Sequence, residues 1–140
     1  MALYYLISQD DRIKVMDFGI AKQSLTPGVT LAGTVAGTPA YMSPEQFNNF
    51  AAVSHLTDLY SLGVVAFQLF TGRTPFESNE LMPLLMMHVN QPPPSPRSLN
   101  ANVPVRLDAI ILKLLEKNPQ NRFGSCAALA QALRFVASEA

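Results

Sequence analysis

Residues 57–72 read TDLYSLGVVAFQLFTG, and this stretch decides the fold class. Thr57 is placed to cap a helix at its start and Gly72 to end it. Apolar or small side chains occupy more than one side of this helix, and a helix of that kind is normally surrounded by other elements. The sequence therefore predicts a central helix, whose apolar residues at helical spacing are Leu59, Leu62, Val65, Ala66, Leu69 and Phe70.

Helical patterns also occur on both sides of this stretch. Ser43-Pro44-Glu45-Gln46 predicts a helix start, because Ser can cap, Pro suits the first helical position and Gln can complete a capping box. Residues 79–89 predict a further helix, the prolines within 92–96 force a non-helical connection, and Ser125 opens a last helix rich in Ala and Leu. Between them lies one apolar helical stripe, which consists of Leu107, Ile110, Ile111, Leu114 and Leu115.

The N-terminal third has a different pattern. Residues 4–7 and 13–16 are short β-prone runs around a turn-like Ser-Gln-Asp-Asp, which indicates a hairpin. Residues 23–40 are rich in Thr, Gly, Val and Ala without a helical period, which predicts a long loop, and loops of this length in compact domains are usually functional or mobile. The predicted fold class is mainly α with a small β hairpin: hairpin, long loop and then about five helices.

Composition narrows the class of protein. Apolar residues make up 49% of the 140 residues and charged residues 14%, which suits a packed core and not a disordered tail. Ten basic and ten acidic side chains cancel, so no basic face predicts nucleic acid or an anionic membrane as partner. The single Cys126 excludes an internal disulfide and fits a reducing compartment. No apolar run reaches the roughly 20 residues of a membrane span, so we expect a cytoplasmic chain without a membrane segment.

Four short motifs follow one another along the chain: DFG at 17–19, GTPAYMSPE at 37–45, DLYSLG at 58–63 and NPQNR at 118–122. The first motif alone is a weak signal, because Asp and Gly favour turns and Phe would serve in a core. Its context strengthens it, since a β-prone run directly precedes it and the other three follow in order. The set is far more specific than any one of its members.

This ordered set resembles the C-terminal lobe of a serine/threonine protein kinase domain, and residues 37–46 are most similar to the bacterial members. The resemblance extends from about residue 6 to about residue 136. It implies that residues 1–140 form one partial kinase domain, an incomplete kinase-like C-terminal lobe of an α+β parent fold. It also implies ATP and Mg²⁺ as cofactors and a protein Ser or Thr as acceptor of the γ-phosphoryl group.

The resemblance gives roles to residues of the loop region. Asp17 matches the aspartate that binds Mg²⁺, Phe18 the residue that packs into the spine, and Gly19 the residue at which the backbone turns. Residues 23–38 would be the activation loop. Thr30 and Thr34 are candidate phosphorylation sites on that loop, and each could equally be a solvated threonine.

Further roles fall on residues beside and within the helices. Thr38 matches the threonine at the floor of the substrate groove, or is a plain turn residue before a proline. Glu45 and Arg122 match a buried ion pair that ties the end of the loop to the helical lobe. Asp58 matches a carboxylate that anchors the catalytic loop, although a first-turn acid is also favoured by the helix dipole. Taken singly, Glu45 and Arg122 could each be an exposed charge that contributes little.

Other chemically capable residues are expected to be structural. His55 and His88 lack companion ligands, which predicts ordinary helix-end or surface residues. Cys126 is expected to be a small buried residue and not a nucleophile. A cluster of methionines is expected to serve packing, and consists of Met82, Met86 and Met87.

Several elements of a complete kinase do not occur in the 140 residues. There is no Gly-rich phosphate loop, no strand lysine motif and no His-Arg-Asp tripeptide. In the register of the family, Tyr4 falls where an asparagine would hold the second metal ion, and the catalytic aspartate is expected upstream of Met1. We therefore expect no catalytic residue within this chain, poor binding of ATP and Mg²⁺, exposed apolar surface on the central helix and marginal folding alone.

Three functional hypotheses remain open. The first is a truncated part of an ATP-dependent serine/threonine kinase that is inactive alone. The second is a non-catalytic, pseudokinase-like module that binds a protein through the groove beside the loop. The third is half of a split kinase that assembles with a separate N-terminal kinase fragment.

Overall fold

The computed structural model describes residues 4–7, 13–16 and 39–138. Most of this part of the chain is helical, which confirms the predicted fold class. The strands are β1 Tyr4–Ile7 and β2 Ile13–Met16; the helices are α1 Pro44–Asn48, α2 His55–Thr71, α3 Leu81–Asn90, α4 Pro96–Leu99, α5 Val105–Leu114 and α6 Cys126–Ala137. Short 3₁₀ turns lie at Pro39–Tyr41, Phe50–Ala52 and Pro119–Asn121.

The two strands pair antiparallel, with Tyr4 opposite Met16 and Ile7 opposite Ile13. They lie at the two β-prone runs that the sequence indicates. The turn expected between them, residues 8–11, is outside the described residues.

Helix α2 is the centre of the helical lobe, and α5 packs along it. One buried cluster joins the two helices and consists of Tyr60, Val64, Phe67, Val103, Leu107, Ile111 and Leu115. A second cluster brings in α6 and consists of Leu56, Leu59, Ile110, Leu114 and Leu129. The apolar stripe predicted for α5 is therefore buried as expected, and it provides most of the contact with α2.

Gly63 sets the distance between α2 and α5. A Cβ atom at this position would lie 2.7 Å from the Cβ of Leu114 and 3.2 Å from Cδ2 of Leu115. Because the Cβ of Leu114 is fixed by the backbone of α5, only a residue without a side chain allows this approach. The glycine that ends the DLYSLG motif is therefore required by the close packing of α2 against α5.

The start of α2 differs from the sequence expectation. Ser54, not Thr57, caps the helix, and its hydroxyl accepts a hydrogen bond from the Leu56 N–H at 3.3 Å. Thr57 occupies the third helical position, where its hydroxyl accepts a bond from the Ser54 N–H and completes a capping box. The other end agrees with the prediction, since Gly72 adopts the left-handed conformation, with φ of 81°, that a β-carbon would disfavour.

The apolar residues of α2 are divided between two faces. The buried face carries Tyr60, Val64 and Phe67, whereas Leu62, Leu69 and Phe70 are exposed by 39%, 69% and 37%. Three of the positions that the sequence shows at helical spacing therefore lie on a partly exposed face. The expectation of exposed apolar surface on this helix agrees with this arrangement.

Of the two shortest helices, α1 agrees with the sequence prediction and α4 does not. Helix α1 starts as predicted: Ser43 is the cap, and the Gln46 side chain accepts a hydrogen bond from the Ser43 N–H at 3.0 Å. The proline-rich connection contains the unexpected α4, which begins at a proline because that residue suits a first helical turn.

Cys126 is exposed, so the expectation of a buried thiol is wrong. Met82 and Met86 are about half exposed.

Among residues 4–7, 13–16 and 39–138, no helix has the length and apolar character needed to cross a bilayer.

Candidate functional site

The predicted site residues divide into two groups. Six lie outside the described residues: Asp17, Phe18, Gly19, Thr30, Thr34 and Thr38. The other three, Glu45, Asp58 and Arg122, lie in the helical lobe, and the structure brings two of them together.

Glu45 and Arg122 form a bidentate ion pair in the interior. Nη1 of Arg122 donates to Oε1 of Glu45 at 2.7 Å, and Nη2 donates to Oε2 at 2.9 Å. Glu45 is 6% exposed and Arg122 4%. Since the two residues are 77 positions apart in sequence, the pair fixes α1 against the chain that follows α5. The sequence motifs at the two ends of this pair are those that the kinase resemblance singled out.

Further hydrogen bonds of Arg122 connect three segments. Nη1 also donates to the carbonyl of Leu56 at 2.8 Å, while Nε donates to the carbonyl of Glu116 at 2.9 Å. Nη2 donates in addition to the carbonyl of Lys117 at 3.3 Å. The guanidinium lies over the ring of Tyr60, 4.9 Å from its centroid, in a cation–π contact. One side chain therefore links α1, the start of α2 and the segment after α5.

The surroundings of Glu45 keep it ionised. Burial alone would raise the pKa of Glu45, but the hydrogen bond and charge of Arg122 lower the pKa below its ordinary value. Thr57 adds to this effect, because its hydroxyl donates to Oε1 at 2.8 Å. The ionised form is the one that this set of donors requires.

Asp58 is separate from this pair. It is exposed, in the first turn of α2, where a carboxylate is favoured by the helix dipole. Partial burial raises the pKa of Asp58, and the nearby charge of His55 opposes the rise. His55 itself contacts the carbonyl of Gly124 through Nε2 at 3.0 Å, which ties the start of α2 to the loop before α6.

The residues directly after Thr38 rest on α2. Ser61 donates its hydroxyl hydrogen to the carbonyl of Tyr41 at 2.9 Å, and the Tyr41 hydroxyl donates to Oε1 of Gln68 at 2.6 Å. Two positions on α2, seven residues apart, thus hold one residue of this segment. The segment leads into the capped start of α1, and so into the ion pair.

His88 is a buried residue whose burial the sequence interpretation missed, since the structure leaves it only 1% exposed. Its Nδ1 lies 2.8 Å from the hydroxyl oxygen of Tyr60, and the ring of Phe76 contacts it edge-on at 5.0 Å between centroids. Burial lowers the pKa of His88 to about 4, with a further decrease from the charge of Lys117. The available signal was position: His88 follows Leu84 and Leu85 by four and three residues, on the apolar face of α3.

Lys117 completes this region. Its ammonium donates to the carbonyls of Met87 and His88 at 3.3 and 2.7 Å, at the C-terminal end of α3. The same group lies 4.4 Å from the centroid of the Phe76 ring. Burial lowers the pKa of Lys117 to about 8, and the charge of Arg122 adds to the decrease. The lysine therefore caps a helix whose last carbonyls need donors.

Comparison with known proteins agrees with this geometry. The family described as protein kinase domain matches residues 5–133. The chain belongs to the protein kinase domain family. The match covers the buried pair, the central helix and all of the two strands except Tyr4.

Three relatives of this kinase chain are bacterial. It is 44% identical over 128 residues to the serine/threonine-protein kinase Pkn1 of Myxococcus xanthus, which covers 91% of the chain and 18% of the relative. It is 40% identical over 138 residues to the serine/threonine-protein kinase pkn3 of the same organism, covering 94% and 25%. It is 40% identical over 124 residues to the serine/threonine-protein kinase PknB of Mycolicibacterium smegmatis, covering 87% and 20%. The chain thus spans between about a fifth and a quarter of the length of these relatives.

Protein kinases in general use ATP and Mg²⁺ and act on protein substrates. The described part of the chain holds no group of three or more His, Cys, Asp or Glu residues that could bind a metal ion. The residue that the family resemblance assigns to Mg²⁺, Asp17, is outside that part. The hydrogen bonds of Tyr41 and the ion pair of Glu45 hold residues 39–45 against the helical lobe.

Proposed function

We propose that residues 1–140 provide the activation segment and the helical C-terminal lobe of an ATP-dependent serine/threonine protein kinase. The observation that carries this proposal is the buried pair of Glu45 and Arg122 in a chain of this family. The pair ties the residues after the predicted activation loop to the segment between α5 and α6. A protein substrate would be held beside that loop, with Thr38 at the floor of the groove.

Phosphoryl transfer also needs groups that these 140 residues do not contain. A protein kinase requires a Gly-rich loop over the phosphates, a lysine paired with a glutamate, a catalytic-loop aspartate and an asparagine for the second metal ion. None of these motifs occurs in the sequence. Asp17 would hold Mg²⁺, which neutralises charge that develops on the phosphates, and other residues would have to complete the site. We propose that the 140 residues by themselves bind ATP and Mg²⁺ poorly and transfer no phosphate.

The experiment compares the 140-residue chain with the longest natural polypeptide that carries it. Transfer of the radiolabelled γ-phosphate of ATP to a protein substrate is measured for both. We expect transfer only by the longer polypeptide, and its loss in the Asp17→Ala variant. Glu77→Ala, which removes an exposed carboxylate from the lobe, is the matched control and should leave the rate unchanged. Transfer by the 140-residue chain alone, free of contaminating kinases, would contradict the proposal.

The exposed stripe of α2 favours a second candidate, in which the chain docks on another polypeptide. Leu62, Leu69 and Phe70 lie on one side of the helix, at spacings of seven and eight residues. A separate N-terminal kinase fragment is the partner that would both cover this stripe and restore activity. A non-catalytic protein-binding module would instead bind a partner without binding nucleotide.

Mixing experiments separate these two forms of docking. The chain is titrated with a recombinant N-terminal kinase fragment, and complex formation and phosphate transfer are both measured. Reassembly predicts a one-to-one complex with transfer that Asp17→Ala abolishes. A complex without transfer, together with no nucleotide binding by calorimetry, would favour the binding module.

We also propose a cytoplasmic location, because the free thiol of Cys126 suits a reducing compartment.

A further inference from the structure

Helix α3 is attached to the lobe differently from the other long helices. None of its described residues belongs to either of the two buried clusters that join α2, α5 and α6. Its own buried side chains are Leu84, Leu85 and His88, and the helix packs against α1 and the 3₁₀ turn Pro39–Tyr41. The last turn of α3 can therefore separate from the lobe without opening the main core.

The ring of His88 is the side-chain contact between this last turn and α2. Its Nδ1 lies 2.8 Å from the hydroxyl oxygen of Tyr60, and the residue is only 1% exposed. Nε2 is also buried and has no hydrogen-bond partner among the described residues. The ring is thus closed off from water with only one of its two nitrogens satisfied.

This environment suits a neutral ring and not a charged one. A neutral imidazole keeps the bond to Tyr60 in either tautomer, because Nδ1 either accepts the hydroxyl hydrogen or donates to the hydroxyl oxygen. In the protonated ring of His88 both nitrogens carry a hydrogen. The Nε2–H would then be a buried, charged donor with no acceptor within the described ranges. Burial of an unpaired charge is far more unfavourable than burial of an unpaired neutral group.

The nearest charged groups oppose a positive ring. The ammonium of Lys117, from the segment after α5, donates to the carbonyl of His88 at 2.7 Å. The guanidinium of Arg122 lies over the ring of Tyr60. Glu45, on α1, is the one buried carboxylate of the described residues, and both of its oxygens are held by Arg122. No free buried carboxylate is therefore present in that part of the chain to pair with a protonated His88.

The other ionisable groups of the surrounding elements do not change this balance. Tyr41, from the 3₁₀ turn, presents a hydroxyl that donates to Oε1 of Gln68. Helix α3 itself carries no ionisable side chain besides His88. The remaining carboxylates of α2, of the loop before α3 and of the segment after α5 are exposed to solvent: Asp58, Glu77, Glu80 and Glu116.

We propose that His88 makes the attachment of α3 pH-dependent: the neutral ring holds the last turn of the helix against α2, and the protonated ring releases it into water. The inference does not depend on the proposed function, since it concerns only contacts within the lobe. Because α3 also packs against α1 and the 3₁₀ turn, its release removes a support from the residues that follow the predicted activation loop.

The direction of the pH dependence follows from the two states of the ring. Burial lowers the pKa of His88 to about 4 in the attached helix, with a further decrease from the charge of Lys117. In the released turn the ring regains the ordinary pKa of about 6.5. The attached form binds the proton less tightly, so its advantage is lost progressively as the pH falls from about 6.5 to about 4. Between pH 7.5 and pH 5 the ratio of released to attached helix should rise roughly 25-fold.

The first test measures amide hydrogen exchange at Gln91, whose N–H donates to the carbonyl of Met87 at 2.9 Å and so reports opening of the last turn. After correction for the intrinsic pH dependence of exchange, opening should be roughly 25-fold more populated at pH 5 than at pH 7.5. The amide of Gly72, which donates to the carbonyl of Gln68 at the end of α2, is the internal control and should not change. No change at Gln91, or an equal change at Gly72, would overturn the proposal.

Two variants assign the effect to one ring. His88→Gln removes the titrating group but keeps a polar side chain, so opening at Gln91 should vary by less than about threefold over the same pH range. His55→Gln is the matched control, because it removes the other histidine of the chain, which is exposed, and it should keep the full change. The proposal fails if His88→Gln and the natural chain are equally sensitive to acid.

A second measurement needs no substitution at His88, so it is independent of how well His88→Gln folds. Labelling with ¹⁵N-histidine gives two ring signals, which His55→Gln assigns. At pH 5.5 an ordinary imidazole is about nine-tenths protonated, whereas we expect the ring of His88 in the attached helix to be neutral. A ring that is protonated at this pH while the amide of Gln91 stays protected would refute the proposal.

Discussion

Removing the guanidinium of the buried pair is the most informative perturbation. Arg122→Met keeps an apolar stem of similar length, but it leaves the Glu45 carboxylate inside with only the Thr57 hydroxyl as a side-chain donor. It also removes the donor from three backbone carbonyls, at Leu56, Glu116 and Lys117. The change thus tests both the pair and the linkage of three segments.

The structure bounds the size of the effect. An unpaired buried carboxylate can take up a proton instead of remaining charged. At pH 7 that proton uptake would cost about 3.4 kcal/mol, since pH 7 is 2.5 units above the ordinary pKa of 4.5 and each unit is about 1.36 kcal/mol. With the carbonyls that lose a donor, we expect Arg122→Met to lower the free energy of unfolding by about 3–5 kcal/mol at pH 7. Near pH 5 the same proton uptake costs only about 0.7 kcal/mol, so the loss should be smaller by about 2.7 kcal/mol.

Urea unfolding followed by circular dichroism measures both values. The matched control is Arg73→Met, which breaks the exposed pair of Arg73 and Glu77, with atoms 3.8 Å apart and side chains more than half exposed. This control should change the free energy of unfolding by less than about 0.5 kcal/mol. A loss below about 1 kcal/mol for Arg122→Met at pH 7, or one equally large at both pH values, would refute the reasoning.

Three further predictions use the same unfolding assay. Gly63→Ala should destabilise by about 1–3 kcal/mol, because the added carbon meets the fixed Cβ of Leu114 at 2.7 Å, whereas Gly124→Ala has open space and should be nearly neutral. Because the pKa of Glu45 is lowered in the folded state, its ionised carboxylate stabilises the fold above about pH 4.5, and this stabilisation is lost as the pH falls through the folded-state pKa. Glu45→Gln should therefore lose less unfolding free energy on acidification than the natural chain. Equal acid sensitivity of the two proteins would count against this prediction. Leu69→Lys should leave the unfolding free energy within about 0.5 kcal/mol and reduce binding of a dye specific for apolar surface, because this side chain is 69% exposed; a large destabilisation would mean that the stripe is covered in the free chain.

Capping residues and a terminal glycine predicted several helix boundaries correctly, because each of these residues favours a particular backbone conformation at its own position. Ser43 and Gln46 formed the predicted capping box, Gly72 ended α2 in the left-handed conformation, and Ser125 capped α6. These features depend on bonds between residues at most a few positions apart, so the sequence contains all the information. The cap of α2 was wrong because Ser54 and Thr57 are both good caps, and local chemistry does not separate them.

The motif order determined the family and named the two partners of the ion pair. It also indicated that parts of a complete kinase site are not among these 140 residues. The roles of Asp17, Phe18, Gly19, Thr30, Thr34 and Thr38 remain predictions, because these residues lie outside the described part of the chain.

Burial was decided only by the tertiary structure. Leu69 and Val64 are both apolar and both on α2, yet one is 69% exposed and the other fully buried, because α5 packs along a single face of the helix. His88 was expected to be an ordinary helix-end or surface residue; it lies in the last turn of α3 but is buried, because its partners come from α2 and from the chain after α5. Periodicity shows that a helix has apolar faces, but which face is covered depends on residues far away in sequence. The free energy of the buried groups depends on that covering.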